Sequence, residues 1–305
     1  MAYLHVIAGS QANTALPVVR KIAMRDLKDA LAKGIDDFRA FPTHVIFLSM
    51  IYPIIGLVLA AVTISYDLLP LLFPLAAGFA LVGPFAAIGL YELSRQRELG
   101  LDMSWSDVFG ALRSQSTDGI IALGVFLLII FALWVAVAQA IYIANFGYAP
   151  APLIPDFLSQ VFTTRAGWTL IIVGNGVGFL FAAAVLTISI VSFPLLLDRD
   201  VGAVVAVLTS VRAVLKNPLT VAAWGLIVAT LLVIGSLPLF VGLAVIMPVL
   251  GHSTWHLYRK LVEPDPRPRP ELPRRPRRRR YAAQFPAALF AGEDRPEDRP
   301  HAPPS

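Results

Sequence analysis

The chain has 305 residues, of which 57% are hydrophobic and only 15% are charged, and its mean hydropathy is +0.70. Soluble globular proteins carry about 25% charged residues, so this composition excludes one large soluble core and indicates a membrane domain with polar flanks. The net charge of +5 averages a nearly uncharged apolar region with a basic tail, and the absence of cysteine excludes disulfides and thiolate metal sites.

The N-terminal region is expected to precede the membrane spans. Residues 1–18 form a polar segment that lacks the basic-then-apolar pattern of a cleavable signal peptide. Residues 19–42 predict an amphipathic helix that lies on the membrane surface and ends at Pro42. Its apolar side is predicted to carry Ile22, Leu27, Leu31, Ile35 and Phe38, and its charged side Arg25, Lys28, Asp29, Lys33 and Asp36.

Residues 43–262 are predicted to cross the bilayer six times. The run 219–255 has 37 residues without a charge, which at about 1.5 Å per residue is nearly twice the thickness of a hydrocarbon core. It is therefore expected to turn back at Gly235-Ser236-Leu237-Pro238, giving two short spans. The alternative is five spans with a re-entrant last segment. The first four predicted spans lie at 43–65, 68–91, 119–142 and 167–193.

The distribution of basic residues predicts the orientation. With six spans, 24 of the 25 Lys and Arg residues lie on one side, and only Arg165 lies on the other. The positive-inside rule makes the basic side cytoplasmic, so both termini are expected there. Five spans would place the twelve basic residues from Arg259 onward outside, which disfavours that alternative.

Each cytoplasmic connection also contains an amphipathic segment, at 19–41, 104–114 and 200–216. The predicted fold is therefore all-α: a polytopic membrane bundle of six transmembrane helices in three hairpins, each preceded by a cytoplasmic interfacial helix. Residues 263–305 are expected to form a disordered cytoplasmic tail rich in Pro and Arg. The run Arg277, Arg278, Arg279 and Arg280 is predicted to bind anionic lipid headgroups. A solvated tail that only prevents aggregation is the alternative, and nucleic acid is a less expected partner.

Three histidines are candidate metal or haem ligands at the cytoplasmic face. His252 and His256 are four residues apart, a spacing that presents two imidazoles on one helix side, and His44 opens the first span. The alternative is that these histidines occupy the headgroup level, as polar residues at the ends of apolar helices commonly do. No carboxylate or cysteine clearly completes a coordination set, so the absence of a cofactor is expected over haem or metal.

Other polar residues occupy the spans and their ends. Glu92 with Arg95 and Asp198 with Arg199 are expected to form interfacial ion pairs. Gln139 and Asn175 are the strongest polar groups within the third and fourth spans. Buried amides usually join helices, so helix contacts are expected there and substrate contacts are the alternative.

Long ordered phrases of the sequence resemble a bacterial family of predicted integral membrane proteins, the domain of unknown function numbered 2189. These phrases lie at 37–56, 71–98, 191–201 and 250–262. The resemblance implies a bacterial chain in the cytoplasmic (inner) membrane. It implies no activity, cofactor or substrate.

The function predicted from these features is non-enzymatic: assembly or organisation of membrane partners or lipids. One alternative is a transporter or channel for an apolar or neutral solute, which would use Gln139 and Asn175. The other is a redox component that binds haem or a metal through the three histidines.

Overall fold

A computed structural model describes residues 16–40, 49–65, 71, 74–76, 83–84, 87–100, 117–148 and 154–265. The described residues are predominantly helical, in agreement with the predicted all-α class. The helices are α1 (Met24–Ala40), α2 (Ile51–Ser65), α3 (Ile88–Glu98), α4 (Thr117–Phe146), α5 (Ile154–Thr163), α6 (Arg165–Asp198), α7 (Ala203–Lys216), α8 (Pro218–Ser236) and α9 (Leu243–Leu261).

Three of the described helices are long and apolar enough to cross a membrane: α4, α6 and α8. Large apolar side chains such as Ile129 on α4, Phe179 on α6 and Leu226 on α8 are exposed, as expected where lipid replaces water as the solvent. Helix α2 lies within the first predicted span and contains a shorter apolar stretch, Ile51–Ala61. Most of the second predicted span, the segment 104–114 and the tail from residue 266 lie outside the described residues.

The long uncharged run is interrupted where the sequence predicts a turn. Helix α8 ends at Ser236, six residues form turns, and α9 begins at Leu243. A Cβ on Gly235 would lie 2.9 Å from side-chain atoms of both Leu243 and Ile246, so α9 packs back along the end of α8.

The two halves of α6 have different surroundings. The second half is buried from Ser189 to Leu197, and α7 packs against it. Ser210 on α7 donates a hydrogen bond to the Thr187 carbonyl (2.7 Å) and accepts one from the Val191 amide (3.2 Å). One hydroxyl is thereby inserted between a helical donor and its usual acceptor. In the first half, Gly167 is buried, and most other side chains are exposed or half-buried.

Helix α1 packs along α9 rather than standing apart from the bundle. Its buried positions are Leu27, Ala30, Gly34 and Asp37. Of the predicted apolar side, Leu27 is buried and the other four residues are half-buried. The burial of Ala30 and Gly34 allows close approach: a Cβ on Gly34 would lie 2.6 Å from the backbone nitrogen of Ser253.

The segment before α1 connects the two ends of the described chain. The Arg20 amide donates to the Leu261 carbonyl (2.7 Å), and the Glu263 amide donates to the Val18 carbonyl (3.0 Å). Asn217, between α7 and α8, donates to the Arg20 carbonyl (3.0 Å) and accepts from the Ile22 amide (2.8 Å). We call residues 18–22 with these partners the terminal clasp. It brings three predicted cytoplasmic regions to one end of the bundle.

Candidate functional site

Two features of the described chain concentrate polar chemistry. One is a cluster of charged and hydrogen-bonding side chains where α1, α3 and α9 meet, near the terminal clasp. The other is the exposed first half of α6, residues 165–182, which we call its outer half and which carries Asn175. We describe the cluster first because it contains two of the predicted histidines.

Asp37 is the centre of the cluster and is only 6% exposed. Its Oδ2 accepts hydrogen bonds from Ser94 Oγ (2.6 Å) and His256 Nε2 (2.8 Å), while its Oδ1 pairs with Arg97 Nη1. Burial alone would raise the pKa of Asp37, but the hydrogen bonds from His256 and Ser94 outweigh it, so the pKa lies below 3.8. Asp37 is therefore a buried carboxylate that holds three elements together in its ionised form.

The hydrogen-bond network assigns the tautomer of His252, which is 2% exposed. Ser94 Oγ lies 2.7 Å from His252 Nδ1 as well as beside Asp37. Serine has a single hydroxyl proton, and the ionised Asp37 can only accept. Ser94 therefore donates to Asp37, and His252 Nδ1–H donates to Ser94.

This order of donors differs from that of a hydrolytic triad. In such a triad the histidine accepts the serine proton, whereas here the Ser94 proton points at the carboxylate. Ser94 is also only 1% exposed, so a substrate would not reach its hydroxyl. The arrangement joins helices rather than activating a nucleophile.

A second set of contacts extends the cluster toward the end of α6. The Tyr258 hydroxyl donates to Asp198 Oδ2 (2.7 Å), and Arg199 Nε lies 3.6 Å from the same oxygen. Arg95 Nε lies 2.7 Å from Glu92 Oε2, and Glu92 is buried rather than at the surface. The structure thus places both predicted acid–base pairs at contact distance, and α9 contributes a tyrosine to one of them.

A pocket of about 390 Å³ opens beside Asp37. The charged groups around it are already paired with one another: Arg259 Nε lies 3.0 Å from Glu98, and Lys260 Nζ lies 2.7 Å from Asp29. Its lining residues are Lys33, Asp37, Arg97, Glu98, His256, Arg259 and Lys260.

The structure brings His252 and His256 to the same cluster, but through Ser94 and Asp37 rather than through a shared ligand position. Within the described residues, no group of three His, Cys, Asp or Glu side chains is arranged to hold a metal ion. His44 and Arg277–Arg280 lie outside those residues, so the three-histidine site stays a prediction, as does lipid binding by the tail.

The two predicted amides have different environments. Gln139 on α4 is half-buried, whereas Asn175 is exposed on the outer half of α6. Asn175 Nδ2 donates to the Ile171 carbonyl of its own helix (2.7 Å). That bond uses one of its two N–H groups, so the other N–H and the carbonyl oxygen are available to a partner.

Sequence reasoning missed Asp37, Ser94 and Arg97. A signal was present for Asp37, because residues 30, 34 and 37 share one face of a helix and the first two are Ala and Gly. A carboxylate on a face of small residues indicates burial against another helix rather than exposure to solvent.

Comparison with known families adds a second observation to the three membrane-length helices. Residues 72–198 match the model of the family described as predicted integral membrane protein (DUF2189). The resemblance predicted from the sequence is thereby confirmed over this segment, and the chain is a membrane protein. No curated protein and no solved structure was found to match the chain.

The DUF2189 segment contains all of α3, α4, α5 and α6. It therefore includes Ser94, Arg97 and Asn175, whereas Asp37, on α1, lies before it. The exposed outer half of α6 lies entirely within the matched segment.

Proposed function

We propose that this chain is a non-enzymatic membrane protein that assembles with a partner helix inside the bilayer, through the outer half of α6. The proposal keeps the topology predicted from the sequence: six spans in the bacterial cytoplasmic membrane with both termini cytoplasmic. It also keeps the prediction of a disordered tail whose arginines bind anionic headgroups. The position of Asn175 is the observation that carries the proposal.

Asn175 is exposed at a depth where lipid offers no hydrogen bonds. It lies ten residues after Arg165, or about 15 Å along the helix axis, which is half of a hydrocarbon core of about 30 Å. A polar amide facing acyl chains loses its hydrogen bonds to water, at a cost of about 1–3 kcal/mol. A partner helix with a polar group at the same depth would remove that cost.

The surroundings of Asn175 suit a helix contact. Ile172 and Phe179, one turn before and one turn after it, are 68% and 70% exposed. A Cβ on Gly176 would meet no atom of the described chain within 4 Å, so a second backbone can approach closely there. Asn175 is exposed rather than enclosed between the described helices, which argues against its use in a solute pathway.

The chain has no cysteine, so a single introduced cysteine can be used to crosslink the partner at one chosen position. We would introduce Phe179→Cys, label it with a photoreactive maleimide in native membranes, and identify the crosslinked proteins by mass spectrometry. Ile129→Cys is the matched control, because Ile129 is a similarly exposed apolar residue on α4. We expect protein adducts from position 179 and mainly lipid adducts from position 129.

The contribution of the amide is tested by adding Asn175→Leu to the Phe179→Cys chain. One interhelical hydrogen bond in a membrane contributes about 0.6–2 kcal/mol, so protein adducts should fall about three- to thirtyfold. Asn145→Leu is the control, because Asn145 makes the same bond to the residue four positions earlier (2.8 Å) but lies at the end of α4. Equal protein adducts from positions 129 and 179 would contradict the proposal.

The predicted topology is tested separately with reporters fused after Ser305. The terminal clasp supports the even number of spans, because it joins residues 18–22 to residues 216–217 and 261–263 at one end. We expect a fused green fluorescent protein to be fluorescent and a fused alkaline phosphatase to be inactive, as for a cytoplasmic terminus. An active phosphatase would refute this orientation.

A further inference from the structure

We propose that the partner helix is α6 of a second copy of this chain, packed in parallel with Asn175 against Asn175 of the partner copy. This inference rests on the proposed assembly function and specifies its partner. It depends on the spacing of the exposed residues around Asn175 and on the hydrogen-bonding capacity of the amide.

Five of the exposed residues on the outer half of α6 have the spacing of a two-helix seam. Trp168, Ile172, Asn175, Phe179 and Ala182 are separated by 4, 3, 4 and 3 residues, and all five are exposed. This spacing averages 3.5 residues, the period at which two α-helices wind around each other with side chains interlocked. We call these five residues the α6 seam. Asn175 is its central position, with two apolar residues before it and two after it.

The seam lies on a different side of α6 from the intramolecular packing. Gly178 faces Trp134 of α4, because a Cβ on Gly178 would lie 2.9 Å from the Trp134 ring. Phe181 also packs against Trp134, with 5.5 Å between ring centroids. Helix α4 therefore occupies one side of the outer half of α6, and the five seam positions remain exposed in the described structure.

The amide chemistry favours an identical partner. An amide has both a donor and an acceptor, so two asparagines at one depth can exchange N–H···O bonds across a two-fold axis. All copies of one chain insert in the same orientation, so a parallel pair automatically places each Asn175 opposite the other. A single asparagine at such a seam position also fixes the register and favours a defined oligomer.

Oxidation of single-cysteine variants tests this geometry directly. We would make Ile172→Cys, Phe179→Cys and Ala182→Cys one at a time in the full chain, each with Asn175 intact, and oxidise native membranes with copper phenanthroline. A disulfide requires Cα atoms about 4.4–6.8 Å apart, so a residue pairs with its own copy only near a parallel two-fold axis. We expect crosslinked species at twice the 33.0 kDa monomer mass from the seam positions.

Val173→Cys and Leu180→Cys are the matched controls, because both residues are exposed on α6 but lie off the seam. We expect at least fivefold less dimer from them, and Asn175→Leu should reduce the Phe179→Cys dimer about three- to thirtyfold. Equal yields on and off the seam would mean random collisions and would overturn the inference.

The crosslinking results separate the inference from the proposed function. If photoreactive position 179 captures a different protein and no seam variant forms a disulfide dimer, the second copy is ruled out while membrane assembly stands. If position 179 captures no protein and no dimer forms, both proposals fail.

Discussion

Substitution of Gly34 by alanine tests the packing of α1 against α9. The added Cβ would lie 2.0 Å from Ser253 Oγ, 2.6 Å from the Ser253 nitrogen and 2.8 Å from its Cα. A side-chain rotation of Ser253 removes only the first clash, because the other two atoms belong to the backbone. One helix must therefore move by about 0.8 Å to restore an ordinary 3.4 Å contact with the nitrogen.

The expected loss of stability follows from two opposing terms. Overpacking between well-packed elements lowers the free energy of unfolding by about 1–3 kcal/mol. The higher helix propensity of alanine offsets up to about 1 kcal/mol of that loss. We expect Gly34→Ala to lower the free energy of unfolding by about 1–2 kcal/mol, measured by titration in mixed detergent micelles. Gly174→Ala is the control, since no atom of the described residues lies within 4 Å of that added Cβ.

The displacement should also reach Asp37, because Asp37 and His256 each lie three residues beyond the Gly34–Ser253 contact. Combined with Gly34→Ala, a substitution of Asp37 should cost less than it does alone. The close α1–α9 packing would be refuted if the Gly34→Ala chain were as stable as the wild type. It would also be refuted if the stability losses of the Gly34 and Asp37 substitutions simply added in the double mutant.

Three further substitutions test other contacts. Asp37→Ala should lower the free energy of unfolding by about 2–3 kcal/mol at neutral pH, because it removes a buried ionised acceptor. Since the folded pKa of Asp37 is lowered, its contribution to stability is complete above about pH 3.8 and is lost as the pH falls through the folded pKa. In a pH series of unfolding titrations, the mutant should therefore lack that part of the acid sensitivity. Trp134→Phe should lower the free energy of unfolding by about 1–2 kcal/mol in the same titration, because it removes the indole donor to the Pro74 carbonyl (2.8 Å). An unchanged unfolding midpoint would contradict that hydrogen bond. Tyr258→Phe should cost about 1 kcal/mol through the lost bond to Asp198, whereas Tyr148→Phe, at a 90% exposed residue, should be neutral.

The parts of the fold that the sequence predicts well are those governed by local composition. The apolar segments around α4, α6 and α8 and the turn after Ser236 follow from hydropathy, helix length and the Gly and Pro residues at the break. The position of Asn175 near the middle of a span also follows from counting residues.

The polar cluster could not be predicted in the same way, because its members are distant in the sequence. Asp37 meets Ser94 across 57 positions and His256 across 219. The direction of the Asn175 side chain could not be predicted either. Helix α6 is apolar on all sides, and its sequence lacks the polar stripe that would orient the helix. Among the described residues, the packing of α4 against Gly178 shows which side of α6 is covered and which is exposed.

The terminal clasp has a consequence for the order of events during synthesis. Arg20 bonds to Leu261, 241 residues later, and α1 rests on α9, the last described helix. At about 5–20 residues per second, the ribosome completes that partner roughly 10–50 s after Arg20 has emerged. During this interval α9 is not available to cover the side of α1 that carries Leu27 and Ala30. A chain interrupted before α9 would keep that surface uncovered, which gives a quality-control protease a means to distinguish unfinished chains from finished ones.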